Sequence, residues 1–252
     1  MIYKVDKDKI HYCQRNNEIK PFESCNVTSM VMALDYKGYA DQFPKGNYKQ
    51  PEDNLRHYIE TNPDCIRIYE NFCRSNTWAR GIPAPQIHDV LSMCTNLWMG
   101  KTVTRFQWNM RISEILNEIK EGRPVVISGD FQRPGKEPLG HIVVLVGYND
   151  ETQEVCYDDP FGKTYAWGPN NPGNDCWVSW ELFIRDIKDC GVVDRKWAHI
   201  FFDKETFNTT PKLPPQGARI ATSDRTAQNG DYWLNPSTSR WMLLTNGKWN
   251  YI

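Results

Sequence analysis

The sequence predicts an α+β fold with its helices first and its antiparallel strands second. In the first half of the chain, apolar residues recur at three- and four-residue steps, which is the period of one face of a helix. From residue 124 onward the pattern changes to short continuous apolar runs, which are typical of buried strands. Helices and strands that are separated along the chain in this way favour α+β over alternating βαβ units.

The first helix is expected directly after Ser24. The apolar residues between Val27 and Leu34 recur at three- and four-residue steps and so fall on one face of this helix. Ser24 is the expected cap at its start, and Gly38 is the expected left-handed residue at its end. The segment that follows, 39–51, is rich in Gln, Lys, Gly and Pro and is predicted to be a loop.

The remaining elements follow from the same two periods. Helices are predicted over 51–60, 85–97, 111–121 and 178–188, whereas 61–83 is mixed and is left unassigned. Strands are predicted over 124–128, 141–148, 154–158 and 198–202. A turn at Asn149–Glu151 joins the second and third of these strands into a hairpin.

Composition divides the chain into an α+β domain over 1–204, a linker over 205–217 and a C-terminal extension over 218–252. The linker is rich in Thr and Pro. The extension carries several Trp and Tyr residues among turn signals such as Asn246-Gly247, and we expect two or three short strands there. Trp-rich segments either form the core of very small domains or bind ligands, and both readings remain open.

Charge and hydropathy exclude several classes of partner. The chain has 30 basic and 31 acidic residues and no long run of Lys or Arg, so nucleic acid is not an expected partner. The first nine residues lack the apolar stretch of a signal peptide, and no window approaches the ~20 apolar residues of a membrane helix. We therefore expect synthesis in the cytoplasm without a signal peptide and without membrane insertion.

The eight cysteines do not have the spacing of a metal site or a disulfide framework. None of them forms a Cys-x-x-Cys pair, which disfavours zinc. If one cysteine is a free nucleophile, seven remain, and an odd number argues against a complete set of disulfides. Most are expected to be small, partly buried thiols.

Cys25, His141 and Asp159 form a candidate set for nucleophilic catalysis. Cys25 lies in the first turn of the first helix, where unpaired N–H groups and the helix dipole favour a thiolate. His141 is expected to begin the most apolar strand and so to lie at the end of the sheet. Asp159 follows at the end of the partner strand, and strands joined by a short turn return their residues to the same end of a sheet. A hydrogen bond from His141 to Asp159 is therefore expected.

The order of these residues carries a family resemblance. The segment CQRNNEIKPFESCNVTSMVMALDYKG resembles the nucleophile region of the bacteriocin-processing peptidase family, a branch of the papain-like cysteine peptidases. Three later segments, EGRPVVISG, GHIVVLVGYND and YDDPFG, resemble later blocks of that family in the same order. The resemblance covers roughly residues 10–165.

The resemblance implies a papain-like fold and a set of roles. Cys25 is then the nucleophile, His141 the general base and Asp159 the residue that orients the base. Gln14 is the implied oxyanion-hole donor, beside the Cys25 backbone N–H. The implied reaction needs no metal or organic cofactor.

Two positions depart from the family pattern, and one assignment has a rival. Asn26 follows the nucleophile where processing peptidases often have Gly, and Gln14 lies 11 residues before Cys25, farther than is common in papain-like enzymes. Asp158 competes with Asp159, because only one of two adjacent strand residues faces His141. The Asp-Pro match to the family favours Asp159.

The expected activity is hydrolysis of an amide or peptide bond. Resemblance to phage and bacterial members points to peptidoglycan peptides as substrate, as in an endolysin or a virion-associated wall hydrolase. The site of action is then the wall of a host bacterium or the virion, and the C-terminal extension is a candidate wall-binding segment. Two alternatives remain open: a transglutaminase-like acyl transferase that uses the same site, and a non-catalytic papain-like module of a phage particle.

Overall fold

The fold is described from a computed structural model of the chain. The described residues are 1–5, 11–75, 86–133, 136–162, 173–189, 191–204, 227–235 and 240–251, together with Pro215 and Ala218. Their helices are α1 Cys25–Tyr36, α2 Pro51–Thr61, α3 Pro63–Ser75, α4 Gln86–Met99, α5 Ile112–Lys120 and α6 Trp180–Asp186. Their strands are β1 Ile2–Lys4, β2 Thr104–Arg111, β3 Val125–Arg133, β4 Lys136–Asn149, β5 Glu154–Asp158, β6 Cys176–Ser179, β7 Arg195–Phe201, β8 Tyr232–Asn235, β9 Arg240–Thr245 and β10 Lys248–Tyr251.

The main sheet is antiparallel and has seven strands. Its order is β2-β7-β3-β4-β5-β6, and β1 pairs with β4 beyond the end of the β3 ladder. The central strands are continuous runs of buried aliphatic residues, because helices cover the sheet and water does not reach these side chains. Helix α1 packs against β3 and β4 at the centre of this sheet.

Helix α1 is almost completely enclosed by the rest of the domain. Residues 27–35 are all buried, including the polar side chains of Thr28, Ser29 and Asp35. Gly38 ends the helix region with a φ of 74°, a conformation that glycine adopts without steric cost. Ser24 occupies the N-cap position as expected, but its hydroxyl donates to the carbonyls of Ile19 and Lys20 and makes no capping hydrogen bond to the helix.

The predicted α+β class is confirmed, with helices on an antiparallel sheet in the order that the sequence indicates. The hairpin of β4 and β5 turns at Asn149, and β5 has the predicted bounds. Several element assignments differ. The helix predicted from Val178 starts at Trp180, because Val178 belongs to β6. The unassigned segment contains α3, and neither β1 nor β2 had a predicted counterpart.

The C-terminal extension forms a separate three-stranded antiparallel sheet, in the order β10-β9-β8. This agrees with the two or three strands expected there. One of its residues, Tyr232, packs against a small buried cluster between α3 and α4 that is composed of Cys65, Ile68, Val90, Met93 and Cys94. Apart from Pro215, the predicted linker lies outside the described residues. No helix in the described part of the chain has the length and apolar character needed to span a membrane.

Candidate active site

Cys25 is the first residue of α1, and its thiol is only partly buried. Helix α1 holds this position firmly because its following turns are enclosed by the sheet and α2. Among the described residues, no acceptor takes the backbone N–H of Cys25. A partly buried thiol and an N–H donor without an acceptor among the described residues therefore lie together at the positive end of a buried helix.

His141 lies beyond the point where β5 stops pairing with β4. The ladder between these strands ends at the Val144–Asp158 pair, whereas β4 continues toward its start as a hairpin with β3. His141 is therefore inside β4, opposite Gly129, and does not begin the strand as predicted. Because the chain leaves β5 at Asp158, the next residue, Asp159, reaches His141 directly.

The His141 and Asp159 side chains form a buried ion-pair geometry. The distance between His141 Nε2 and Asp159 Oδ1 is 2.7 Å, and both side chains are almost inaccessible to solvent. An ionised carboxylate only accepts hydrogen bonds, so Nε2 carries the proton and donates it. The other ring nitrogen, Nδ1, is then the one available to the Cys25 side chain, which also helps to raise the pKa of His141.

The pKa of His141 is raised to about 9. Burial is the largest single influence and lowers the pKa, because it disfavours the imidazolium. The charge and hydrogen bond of Asp159, with smaller contributions from Cys25, outweigh burial. The site therefore stabilises a positive charge on His141, which is the charge that the ring carries after it accepts a proton from a thiol.

Asp159 is held in place by several backbone contacts. Its Oδ1 also accepts the Phe161 N–H at 2.8 Å, its own N–H donates to the Gly173 carbonyl, and its carbonyl accepts from His11 Nε2 at 2.7 Å. Its second oxygen, Oδ2, is buried and has no partner among the described residues. The carboxylate is thus oriented toward His141 by the turn around it.

The adjacent residue, Asp158, makes hydrogen bonds to other partners. Its carboxylate accepts from the Tyr36 hydroxyl of α1 and from the Asp175 N–H at 2.7 Å. Burial raises the pKa of Asp158, whereas these hydrogen bonds act in the opposite direction. The geometry therefore places Asp159, and not its rival Asp158, against His141.

Two further contacts position the candidate base, and the sequence patterns did not single them out. The Ser29 hydroxyl, one turn after Cys25, donates to the Ile142 carbonyl at 3.1 Å and so ties α1 to β4 beside His141. The buried Phe131 ring meets the His141 ring edge to face, with centroids 6.2 Å apart. A Cβ on Gly129, opposite His141, would lie 2.8 Å from that ring. Gly129, the last residue of the segment EGRPVVISG, was the only sequence signal of this packing.

Gln14 bridges the two halves of the site. Its backbone N–H donates to the Pro160 carbonyl at 2.7 Å, and its side-chain amide donates to the Pro21 carbonyl at 2.9 Å, four residues before Cys25. Gln14 is 1% exposed, and its Oε1 has no partner among the described residues. The Pro21 contact fixes the amide orientation, because a carbonyl oxygen in the Nε2 position would face another carbonyl oxygen. The second amide hydrogen has no acceptor in the part of the chain that the structure describes.

The other conspicuous polar residues are structural. His88 and His199 hydrogen-bond to each other at 2.9 Å in a buried network with Ser92. Burial lowers the pKa of His88 to about 4, so this pair is neutral. In the part of the chain that the structure describes, no group of three or more His, Cys, Asp or Glu side chains could hold a metal ion.

Comparison with known proteins places the chain among cysteine peptidases. Its residues 7–182 match the sequence profile of the peptidase C39-like family. No curated protein sequence matches it. Among solved structures, it is similar to a C39-like peptidase from Bacillus anthracis, with a TM-score of 0.46, 18% identity and coverage of 80% of this chain and 98% of that one. It is also similar to xylellain, a cysteine protease from Xylella fastidiosa, with a TM-score of 0.46, 12% identity and coverage of 80% and 85%.

Proposed function

The chain belongs to the peptidase C39-like family, and we propose that its cysteine peptidase chemistry is carried by Cys25, His141 and Asp159. The observation that carries this proposal is the arrangement around His141. One ring nitrogen is fixed by Asp159 at 2.7 Å, and the Cys25 side chain acts on the same ring by helping to raise its pKa. A nucleophile, a base and a residue that orients the base are the three parts that acyl transfer through a thioester needs.

The first half of the reaction forms a thioester. Cys25 gives its proton to His141 Nδ1, and the resulting imidazolium is stabilised by Asp159. The thiolate attacks the substrate carbonyl carbon, so a C–S bond forms and the carbonyl oxygen becomes an oxyanion. When this intermediate collapses, the C–N bond breaks and the leaving amine takes the proton from His141.

The second half returns the enzyme to its starting state. A water molecule gives a proton to His141 and attacks the thioester carbonyl. The C–S bond then breaks, the acid product leaves, and the sulfur of Cys25 recovers its proton from His141. Each half of the reaction passes one proton through His141, first from the Cys25 thiol to the leaving amine and then from water to the Cys25 sulfur, which is why the orientation of the ring by Asp159 matters.

We assign the stabilisation of the oxyanion in both halves of the reaction to two hydrogen-bond donors, the Cys25 backbone N–H and the Gln14 side-chain amide. Two observations support this assignment. The Cys25 N–H has no acceptor among the described residues, and Gln14 is buried with its amide fixed by Pro21 next to the nucleophile. Donors that are already fixed before the reaction stabilise developing charge without reorganisation.

We further propose that the substrate is a peptidoglycan peptide and that the protein acts as a phage lysin or a virion-associated wall hydrolase. The resemblance of the segments around Cys25 and His141 to phage and bacterial members supports this. The separate aromatic-rich sheet β8–β10 is assigned to binding of the wall, because aromatic side chains on a small surface domain offer large contact areas.

Digestion of purified peptidoglycan, followed by mass analysis of the released fragments, tests the activity and the scissile bond together. We expect new amino termini with the wild-type protein and with Cys13→Ser, which replaces another partly buried thiol, and none with Cys25→Ser. Cleavage of soluble peptides without cleavage of peptidoglycan would reject the substrate and keep the site. Equal digestion by Cys25→Ser would reject the site, and incorporation of an added amine in place of water would identify an acyl transferase.

A further inference from the structure

Three side chains beside the candidate site form a surface patch that the mechanism does not use. Arg15, Phe22 and Phe161 make up this patch, which we call the Arg15 patch. The guanidinium carbon of Arg15 lies 5.8 Å from the centroid of the Phe161 ring, within the range of a cation–π contact. The Phe22 and Phe161 centroids are 6.4 Å apart, with ring planes inclined at 49°. The patch therefore combines two aromatic faces with one positive charge.

Each member of the patch is attached to the catalytic geometry. Phe161 donates its N–H to Asp159 Oδ1, the same oxygen that accepts from His141. Arg15 directly follows Gln14, whose backbone is bonded to the Pro160 carbonyl. Phe22 directly follows Pro21, whose carbonyl holds the Gln14 amide. These bonds keep the patch at a fixed distance from the reacting atoms.

The exposure and charge of the patch are those expected of a ligand-binding surface. Phe22 is 76% exposed, so most of its ring faces water. Arg15 is exposed as well and forms no salt bridge with any carboxylate of the described residues. By contrast, five other arginines pair with carboxylates: Arg56, Arg67, Arg123, Arg185 and Arg195.

The chain also leaves space for the Arg15 guanidinium. Gly162 has a φ of 80°, and a Cβ built on it would lie 2.9 Å from an Arg15 terminal nitrogen. A larger residue at this position would therefore be strained and would push Arg15 off the Phe161 ring. Gly162 thus leaves room for the guanidinium beside the turn that follows Asp159.

We propose that the Arg15 patch is a specificity subsite that binds the leaving-group side of the substrate, where it selects a carboxylate next to an apolar side chain. This inference rests on the proposed function and adds to it the chemistry of the substrate. A guanidinium with free donors binds a carboxylate through paired hydrogen bonds, and the two phenyl faces cover an apolar side chain.

Proton transfer assigns the patch to the leaving-group side. His141 protonates the leaving amine, so that amine lies within hydrogen-bonding distance of the ring. The peptide beyond the amine then extends over the surface next to His141 and Asp159. Phe161 is bonded to the Asp159 carboxylate, and so the patch lies along this path. The residue that carries the acyl group lies on the other side of the bond and does not meet Arg15.

The test compares matched peptides and matched variants. It starts from the peptide that the wild-type protein cleaves fastest in a mixed library, with the residue after the scissile bond set to Leu. Three peptides then differ at the next residue, which is also the last: Glu with an amidated C-terminus, Gln with an amidated C-terminus, or Gln with a free C-terminus. They separate a side-chain carboxylate from a C-terminal carboxylate. The variants are Arg15→Gln, with Lys248→Gln in β10 as the charge-matched control, and Phe22→Ala, with the exposed Tyr69→Ala as the aromatic control.

We expect the wild-type protein to favour at least one carboxylate peptide by about tenfold in kcat/KM, as for a hydrogen bond to a charged group. Arg15→Gln should remove this preference mainly through KM, while Lys248→Gln keeps it. Phe22→Ala should lower kcat/KM for a Leu peptide relative to a Gly peptide, and Tyr69→Ala should not.

Cleavage that needs Cys25 but ignores the carboxylate, or a preference that survives Arg15→Gln, would overturn the subsite and leave the proposed function intact. A preference at the acyl-side residue would overturn the leaving-group assignment. No cleavage of any peptide, together with an unreactive Cys25, would overturn both.

Discussion

At the residue scale, two adjacent aspartates have different roles in the candidate site. Asp158 and Asp159 are both buried, but their carboxylates have different partners. Asp158 accepts from Tyr36 and Asp175, and Asp159 accepts from His141. Asp158 is the last residue of β5, and Asp159 lies in the turn that follows, which directs its side chain to the base.

These different roles predict different outcomes for matched substitutions. Asp159→Ala should lower kcat at least about a hundredfold, because it removes both the orientation and the charge that His141 needs. Asp159→Asn should retain more activity than Asp159→Ala, since the amide oxygen still accepts the His141 N–H. Asp158→Asn should lower the free energy of unfolding, and with it the melting temperature, while kcat stays within a few-fold. Equal losses of kcat for the Asn variants would return Asp158 to the candidate set.

The raised pKa of His141 predicts the alkaline limit of activity. The imidazolium must protonate the leaving amine, so kcat/KM should fall as the pH rises through about 9. This pKa is also above the ordinary histidine value near 6.5, so protonated His141 stabilises the folded protein. Its contribution to the free energy of unfolding is complete below about pH 6.5 and is lost as the pH rises from there to about 9. In Asp159→Asn the alkaline limit should move to lower pH, because the nearby negative charge is gone. A pH profile of kcat/KM that does not move in this variant would argue against charge stabilisation by Asp159.

At the element scale, the parts of the fold that depend on local period were predictable. Helix α1 and the β4–β5 hairpin follow from the spacing of apolar residues and from one turn. Strand β2 was missed although Phe106, Trp108 and Met110 alternate with single polar residues. Its burial does not follow that alternation throughout, because the ladder with β7 shifts register between Gln107 and Met110 and Trp108 is exposed. Ser24 is the N-cap residue as predicted, but its hydroxyl does not cap the helix, because the preceding loop offers it two carbonyl acceptors.

The site itself was predictable from three residues and their order, but the contacts that hold it were not. The expectation that His141 begins a strand was wrong in detail, since β4 starts at Lys136. The reason is that β3 and β4 pair with each other beyond the end of β5, and this pairing depends on long-range register. Contacts such as Ser29 to the Ile142 carbonyl join residues more than 100 positions apart, so no sequence window contains both partners.

The junction between α1 and β4 predicts a positioning role for Ser29. Ser29→Ala leaves the Ile142 carbonyl without its donor and should lower stability by about 1–3 kcal/mol. It should also lower kcat by tenfold or more, because small displacements of a nucleophile relative to its base are costly. Thr104→Val, which removes a similar buried bond to the Ile200 carbonyl in β7, should lower stability without a comparable loss of kcat. Similar kcat values for both variants would assign Ser29 to stability alone.

At the scale of the whole molecule, the C-terminal extension is a separate sheet that still contacts the first domain. Tyr232 packs against the cluster between α3 and α4, whereas β9 and β10 pair only within the extension among the described residues. The extension is therefore joined to the domain through a small apolar contact rather than through the main sheet.

Truncation of the chain after Lys204 tests how far the two parts are independent. The shortened protein should fold and cleave a small soluble peptide at the wild-type rate, because the residues of the candidate site all precede the cut. Its melting temperature should fall, since the cluster under Tyr232 becomes exposed. It should also lose affinity for cell walls in a co-sedimentation assay, whereas full-length Tyr232→Ala should show the lower melting temperature and keep that affinity. Insoluble or inactive truncated protein would show that the extension is part of the catalytic fold.

The central claim is that Cys25 is the activated thiol of this molecule, and its rate of alkylation tests this most directly. Burial raises the pKa of Cys176 to about 12 and that of Cys156 further, and the hydrogen bond from Cys65 helps to raise the pKa of Cys94, so these thiols should react slowly. Limited iodoacetamide at about pH 6, read by peptide mass mapping, should therefore label Cys25 first, and His141→Ala should slow that labelling. If Cys25 in the folded protein reacts no faster than Cys94, and His141→Ala changes nothing, then Cys25 and His141 are not a catalytic pair.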